Sequence, residues 1–146
     1  MLKEKLNEDL KKYMKEKNTL ALNTVRLVIA DIKNKEIEKN SELTDEEILQ
    51  IIRKQIKTRE DSIQQFKSAG RDDLANKEAQ EIEILKKYLP EDLTDEELDK
   101  IIQETIKELN ASSKKDFGRV IKEVIQKVQG RADNKKISEL ISKKLG

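Results

Sequence analysis

Apolar residues recur along this chain at intervals of three and four, which predicts helices almost throughout. Leu2, Leu6, Leu10, Tyr13 and Met14 mark a first helix ending near Lys17–Asn18. Thr19 to about Glu38 is the most apolar stretch. Leu20, Leu22, Val25, Leu27, Val28, Ile29 and Ile32 cover most of its circumference, so this helix is expected at the centre of a bundle. Thr44 and Glu47 form a capping-box pattern ahead of Ile48, Ile51, Ile52, Ile56, Ile63 and Phe66, and Gly70 stands where a helix stop belongs. A fourth helix carries Leu74, Ala75, Ala79, Ile82, Leu85 and Leu89, up to Pro90. Thr94 and Glu97 repeat the capping pattern before Leu98, Ile101, Ile102, Ile106 and Leu109. After a loop at Asn110–Ser113, Phe117, Val120, Ile121, Val124, Ile125 and Val128 form another apolar face, ended by Gly130. Asp133 can cap a last helix bearing Ile137, Leu140, Ile141 and Leu145.

The expected fold is therefore all-α: a four-helix bundle over residues 1–90 and a three-helix bundle over residues 91–146, with a short joint at Pro90. Residues 43–57 and 93–107 are identical at nine of fifteen positions. Two capped amphipathic helices share a limited grammar, which accounts for the likeness. The residues after each copy differ, and the spacing builds no repeat array.

Composition narrows the chemistry. Charged residues make up 42% of the chain and hydrophobic ones 35%, but the net charge is only +1 and the apolar pattern is periodic, unlike that of a disordered tail. With no Cys there is no disulfide, thiolate nucleophile or zinc–thiolate site. With no His the commonest general base and metal ligand is missing. No apolar run approaches the roughly 20 residues of a membrane span, so no membrane partner is expected. The leading residues are charged and amphipathic, with no apolar signal-peptide core, and the expected location is cytosolic.

Charge changes the picture near the end of the chain. Residues 1–110 carry a net of −5 and residues 111–146 a net of +6. This reads as a slightly acidic leading part and a basic tail. Such a tail can attract a polyanion; it can equally be a Lys-rich solvated surface. Arg119, Lys122, Arg131 and Lys135 lie at spacings that allow a shared face, and Gly130–Asn134 leads into a helix N-terminus, whose amides can meet an anion. The candidate RNA-binding residues are Arg119, Lys122, Gly130, Arg131, Lys135 and Lys136. No aromatic residues interleave with them, since Phe117 reads as core, so base stacking is disfavoured and phosphate or shape recognition remains.

No catalytic residue, metal site or cofactor motif is identified. Glu78, Glu81 and Glu83 read as a solvated or ion-paired face rather than a metal site. Ser112, Ser113 and Lys114 are adjacent and suit a helix cap better than a nucleophile pair. Arg26 lies inside the most apolar helix. It reads as a core-edge residue paired with a carboxylate such as Glu60, Glu78 or Glu81; the other reading is an anion contact.

Four segments together resemble the stand-alone proteins of the GatB/YqeY family. They are the run from Thr24 through Ile37, Tyr88-Leu-Pro-Glu91, and Asp116-Phe-Gly-Arg-Val-Ile121 with Gly130-Arg-Ala-Asp133. The likeness covers essentially the full length. It implies two helical bundles and kinship with the C-terminal tail of the B subunit of glutamyl/aspartyl-tRNA amidotransferase. That tail is associated with tRNA binding, while the chemistry lies in other domains and another subunit. Gly118, Gly130, Arg131, Ala132 and Asp133 match the tail pattern. Phe117 stands where the family often has Met, and Asn134 where Gly is common.

The expectation is thus a tRNA- or RNA-binding accessory protein. The alternatives are a helical module docking on a larger enzyme and, behind it, a carbon–nitrogen ligase using glutamine, for which the chain offers no clear centre.

Overall fold

The computed structural model describes all of residues 1–146. It holds α1 (Leu2–Lys15), α2 (Thr19–Lys39), α3 (Asp45–Ser68), α4 (Asp72–Lys86), α5 (Asp95–Glu108), a 3₁₀ turn (Lys114–Asp116), α6 (Phe117–Val128) and α7 (Asn134–Leu145), and no strand. The chain divides into two compact units, Met1–Leu89 and Pro90–Gly146. The first contains α1–α4 and the second α5–α7.

Local signals set the helix ends. Thr44 accepts the Glu47 amide at 3.2 Å while the Glu47 carboxylate accepts the Thr44 amide at 3.0 Å; Thr94 and Glu97 do the same at 3.1 Å each. Gly70, at φ +72°, ends α3, with the Arg71 amide reaching back to the Phe66 carbonyl at 2.8 Å. Lys17 holds the equivalent left-handed position after α1 at φ +56°, and the Asn18 amide returns to Tyr13. Asn18 then accepts the Ala21 amide and starts α2. The fourth helix stops at Lys86, short of the expected Leu89. Pro90 excludes the helical conformation for the residue before it, and the chain tightens first, with Tyr88 and Leu89 amides on the Leu85 and Lys86 carbonyls.

In the first unit Leu6, Val25, Val28, Ile32, Ile48, Ile52 and Leu85 form the fully enclosed core. Helix α2 touches each of the other three helices of the unit, but it is not enclosed all round. Leu27 is 52% exposed and Ile37 77%. Three neighbours cover the arc of Ala21, Val25, Val28 and Ile32 and leave the opposite side to solvent. The apolar count along α2 exceeds what its neighbours bury.

In the second unit Leu98 and Ile102 of α5, Val120, Val124 and Val128 of α6, and Ile137 and Ile141 of α7 make a separate core. Phe117 packs on its edge. No helix of the structure is long and apolar enough to cross a membrane.

A candidate nucleic-acid interface on the second unit

The division between the units does not coincide with the division of charge. Residues 90–146 hold 12 Lys/Arg against 12 Asp/Glu, and residues 1–89 hold 19 against 18. An acidic leading unit and a basic second unit are therefore not what the structure contains. The basic stretch of α6 and α7 shares its unit with α5, which is rich in carboxylates.

Those carboxylates reach the lysines directly. Glu108 accepts from Lys127 at 2.8 Å, and Asp99 lies 2.6 Å from Lys144. Asp95 takes the ammonium of Lys136. Lys127 also donates to the hydroxyl of Thr105, itself fully buried, at 3.0 Å. One flank of α5 thus neutralises α7 and its other end neutralises α6.

Of the six residues expected to contact RNA, four are held within the unit. Arg119 donates to Asp116 at 2.7 Å. The Ser112 amide and then that guanidinium keep the Asp116 carboxyl below its ordinary value. Lys136 is the partner of Asp95. Gly130 is buried at φ +78°, directly after Gln129 at φ +51°. Two successive left-handed residues turn the chain from α6 towards α7, and only glycine takes that conformation without a Cβ penalty. Arg131 bridges this turn to the segment before α5: its Nε donates to the Glu91 carbonyl at 2.9 Å, and its carbonyl accepts the Leu93 amide at 3.0 Å.

The start of α7 already carries an anion. The Asp133 carboxylate accepts the Lys135 amide at 2.9 Å, which places a negative group where a phosphate was expected. The Gly130–Asp133 motif builds the turn and the cap, and Ala132 is buried with the core.

Lys122 and Lys135 are different. Both are exposed and neither has a carboxylate partner. Lys114, Lys115 and Lys143 share that condition, although their spacing does not mark them. On α6 the exposed positions Gly118, Arg119, Lys122 and Gln126 lie opposite the buried row Val120, Val124 and Val128.

In the first unit the buried arginine is Arg59, not Arg26. Arg59 is 7% exposed and holds Glu81 at 3.1 Å, with Glu78 at 3.8 Å. Burial and the neighbouring Glu81 push the Glu78 carboxyl up, with Arg59 opposing them. Glu78 and Glu81 thus serve an ion pair across α3 and α4. Arg26 is exposed and unpaired. Periodicity names the residues of α2 but not which arc its neighbours cover, so it could not distinguish the two arginines. No group of acidic side chains is arranged to hold a metal ion. A groove of about 540 Å³ runs between α2 and α3, lined by Leu27, Asp31, Ile51, Gln55 and Arg59 among others.

Comparison with known proteins gives this geometry its relatives. A protein named altered inheritance of mitochondria protein 41, mitochondrial, from Pyrenophora tritici-repentis is 35% identical over 143 residues, covering 97% of this chain and 77% of that one. Its namesake from Candida glabrata is 35% identical over 140 residues, covering 94% and 68%. The E subunit of glutamyl-tRNA(Gln) amidotransferase from Sulfurisphaera tokodaii is 47% identical over 78 residues, covering 51% of this chain and 12% of that one. The fungal relatives are mitochondrial by name, which overturns the expectation of a cytosolic location. The family model described as Yqey-like protein matches residues 3–145, and with the two fungal relatives, which match nearly all of this chain, it establishes that the chain belongs to the Yqey-like family.

Proposed function

We propose that this chain binds RNA, with tRNA the foremost substrate, through the unpaired lysines of its second unit. One observation carries the reading. α5, Asp116 and the backbone engage five of the ten basic side chains in residues 111–146, while Lys114, Lys115, Lys122, Lys135 and Lys143 project to solvent without a carboxylate. Unpaired cations release counterions when they meet phosphates, which gives affinity that salt erodes. Relatedness to part of an amidotransferase acting on tRNA supports the choice of nucleic acid. We read the two units as separate bundles, four-helix over 1–90 and three-helix over 91–146, with the RNA contact on the second.

The test is a titration with unfractionated tRNA at several salt concentrations. Binding should weaken steeply as salt rises, and the combined variant Lys122→Ala, Lys135→Ala, Lys143→Ala should lose about tenfold or more in affinity. Undetectable binding at low salt, or a triple variant that binds like the parent, defeats the proposal. Release of glutamate from glutamine by the purified chain would favour an amidotransferase instead.

A second reading has its own support. Leu27 and Ile37 of α2 are large apolar side chains left exposed in the first unit, ten residues apart. Each can serve as an anchor for docking on a partner protein. Pull-down from nuclease-treated lysate, with capture lost in Leu27→Lys, Ile37→Lys, is its test.

A further inference from the structure

Gly118 is the second residue of α6. A fold requires glycine for two reasons: a left-handed backbone, or another part of the chain too close to admit a Cβ. Neither holds here. The backbone of Gly118 is helical and absent from the positive-φ positions. A Cβ built on it meets nothing within 4 Å, and the residue is exposed. Gly70 and Gly130 differ, since both turn the chain at positive φ. Glycine also favours a helix less than alanine, though by less in the first turn than in the interior, and nothing inside the molecule calls for it here.

The surroundings indicate what comes close. Lys115, in the 3₁₀ turn before α6, and Lys122, on α6, stand three residues before and four residues after Gly118, both exposed and without a carboxylate; Arg119, paired with Asp116, and Gln126 are exposed on α6 beside them. No aromatic side chain stands on this arc to stack a base. Cations flanking a bare backbone fit a chain of phosphates, and the lack of a Cβ lets such a chain settle against the helix.

We propose that Gly118 is the point of closest approach of the RNA sugar–phosphate backbone, with Lys115 and Lys122 contacting the phosphates on either side. This rests on the RNA-binding reading and adds to it a steric requirement that charge alone does not impose.

The experiment compares the full chain with Gly118→Ala, Gly118→Leu and Lys115→Ala/Lys122→Ala, using unfractionated tRNA across a salt series. Gly118→Ala should fold and melt no lower than the parent, because it replaces a flexible residue in open space. It should nevertheless bind tRNA several-fold more weakly, and Gly118→Leu about tenfold or more. The slope of log affinity against log salt should be unchanged in both, since no charge is lost. The lysine variant should lower that slope by about 2. If Gly118→Leu binds like the parent while the lysine variant is weakened, the closest-approach assignment fails and RNA binding stands. If the parent does not bind tRNA, RNA binding itself fails and the assignment falls with it.

Discussion

The hydroxyl of Tyr88 donates to the carboxylate of Asp9, fastening the turn after α4 to the first helix. Lys5 supplies a second hydrogen bond to the same carboxylate at 3.0 Å. Asp9 is 9% exposed, and burial works to raise its carboxyl; Tyr88 and Lys5 prevail and hold it below its ordinary value. Burial, and then the Asp9 anion, push the Tyr88 phenol far up.

Stability should therefore fall at both ends of the pH scale. The folded Asp9 is depressed, so its contribution is complete above a carboxylate's usual value near 4 and is lost as pH drops through the lower folded value. The folded Tyr88 is raised, so its contribution is complete below about pH 10 and is lost as pH climbs beyond that. Tyr88→Phe should cost about 1–2 kcal/mol at neutral pH and make the alkaline decline shallower, leaving the part due to Lys5, whose ammonium Asp9 also holds above its ordinary value. Asp9→Asn should flatten the acid limb. Urea titrations of the first unit across pH check both, and a Tyr88→Phe chain as stable as its parent at neutral pH would refute the first.

Arg59 should be hard to replace. Arg59→Met leaves Glu81 and Glu78 without their cation in a largely dehydrated position, and about 3 kcal/mol of stability should go. Adding Glu81→Leu should restore much of it, because an apolar pair can occupy the space without an orphaned charge. Chemical denaturation of the single and double variants measures this; equal losses would show that the ion pair is not the cause.

Much of this fold was legible as local grammar. Thr44, Thr94, Gly70 and Asp133 act within a few residues of themselves, so their roles follow from their neighbours in the chain. What escaped depends on how helices rotate against each other. Arg26 and Arg59 look alike in sequence, but only Arg59 meets carboxylates from another helix. The same holds for Lys136 and Lys135: adjacent in sequence, one is neutralised by Asp95 and the other is open. Left-handed Lys17 and Gln129 were also illegible, because neither is a residue type that announces that conformation.

The capping boxes offer a test of whether the units are independent. Thr44→Ala and Thr94→Ala should each cost about 1 kcal/mol. If the units unfold separately, each substitution should weaken amide protection only in its own unit. Hydrogen exchange reads this residue by residue. Uniform loss across the whole chain in either variant would show a single cooperative body.

The acidic face of α5 should restrain RNA affinity. Asp95→Asn with Asp99→Asn frees Lys136 and Lys144 and raises the local net charge by two. Binding to tRNA at low salt should tighten about tenfold or more, with a steeper salt dependence. Unchanged affinity in the titration would mean that these lysines do not face the nucleic acid.

The bridge from Arg131 to Glu91 and Leu93 has a consequence for how the protein is made. It spans 40 residues, and the residue that secures it is synthesised long after the segment it holds. The segment leading into α5 must wait, its Leu93 amide bonded to water, until the turn before α7 has left the ribosome. A pause before that turn emerges would therefore leave α5 made but its leading segment unanchored. Closure of the segment before α5 thus depends on the turn before α7 and not on α5 itself.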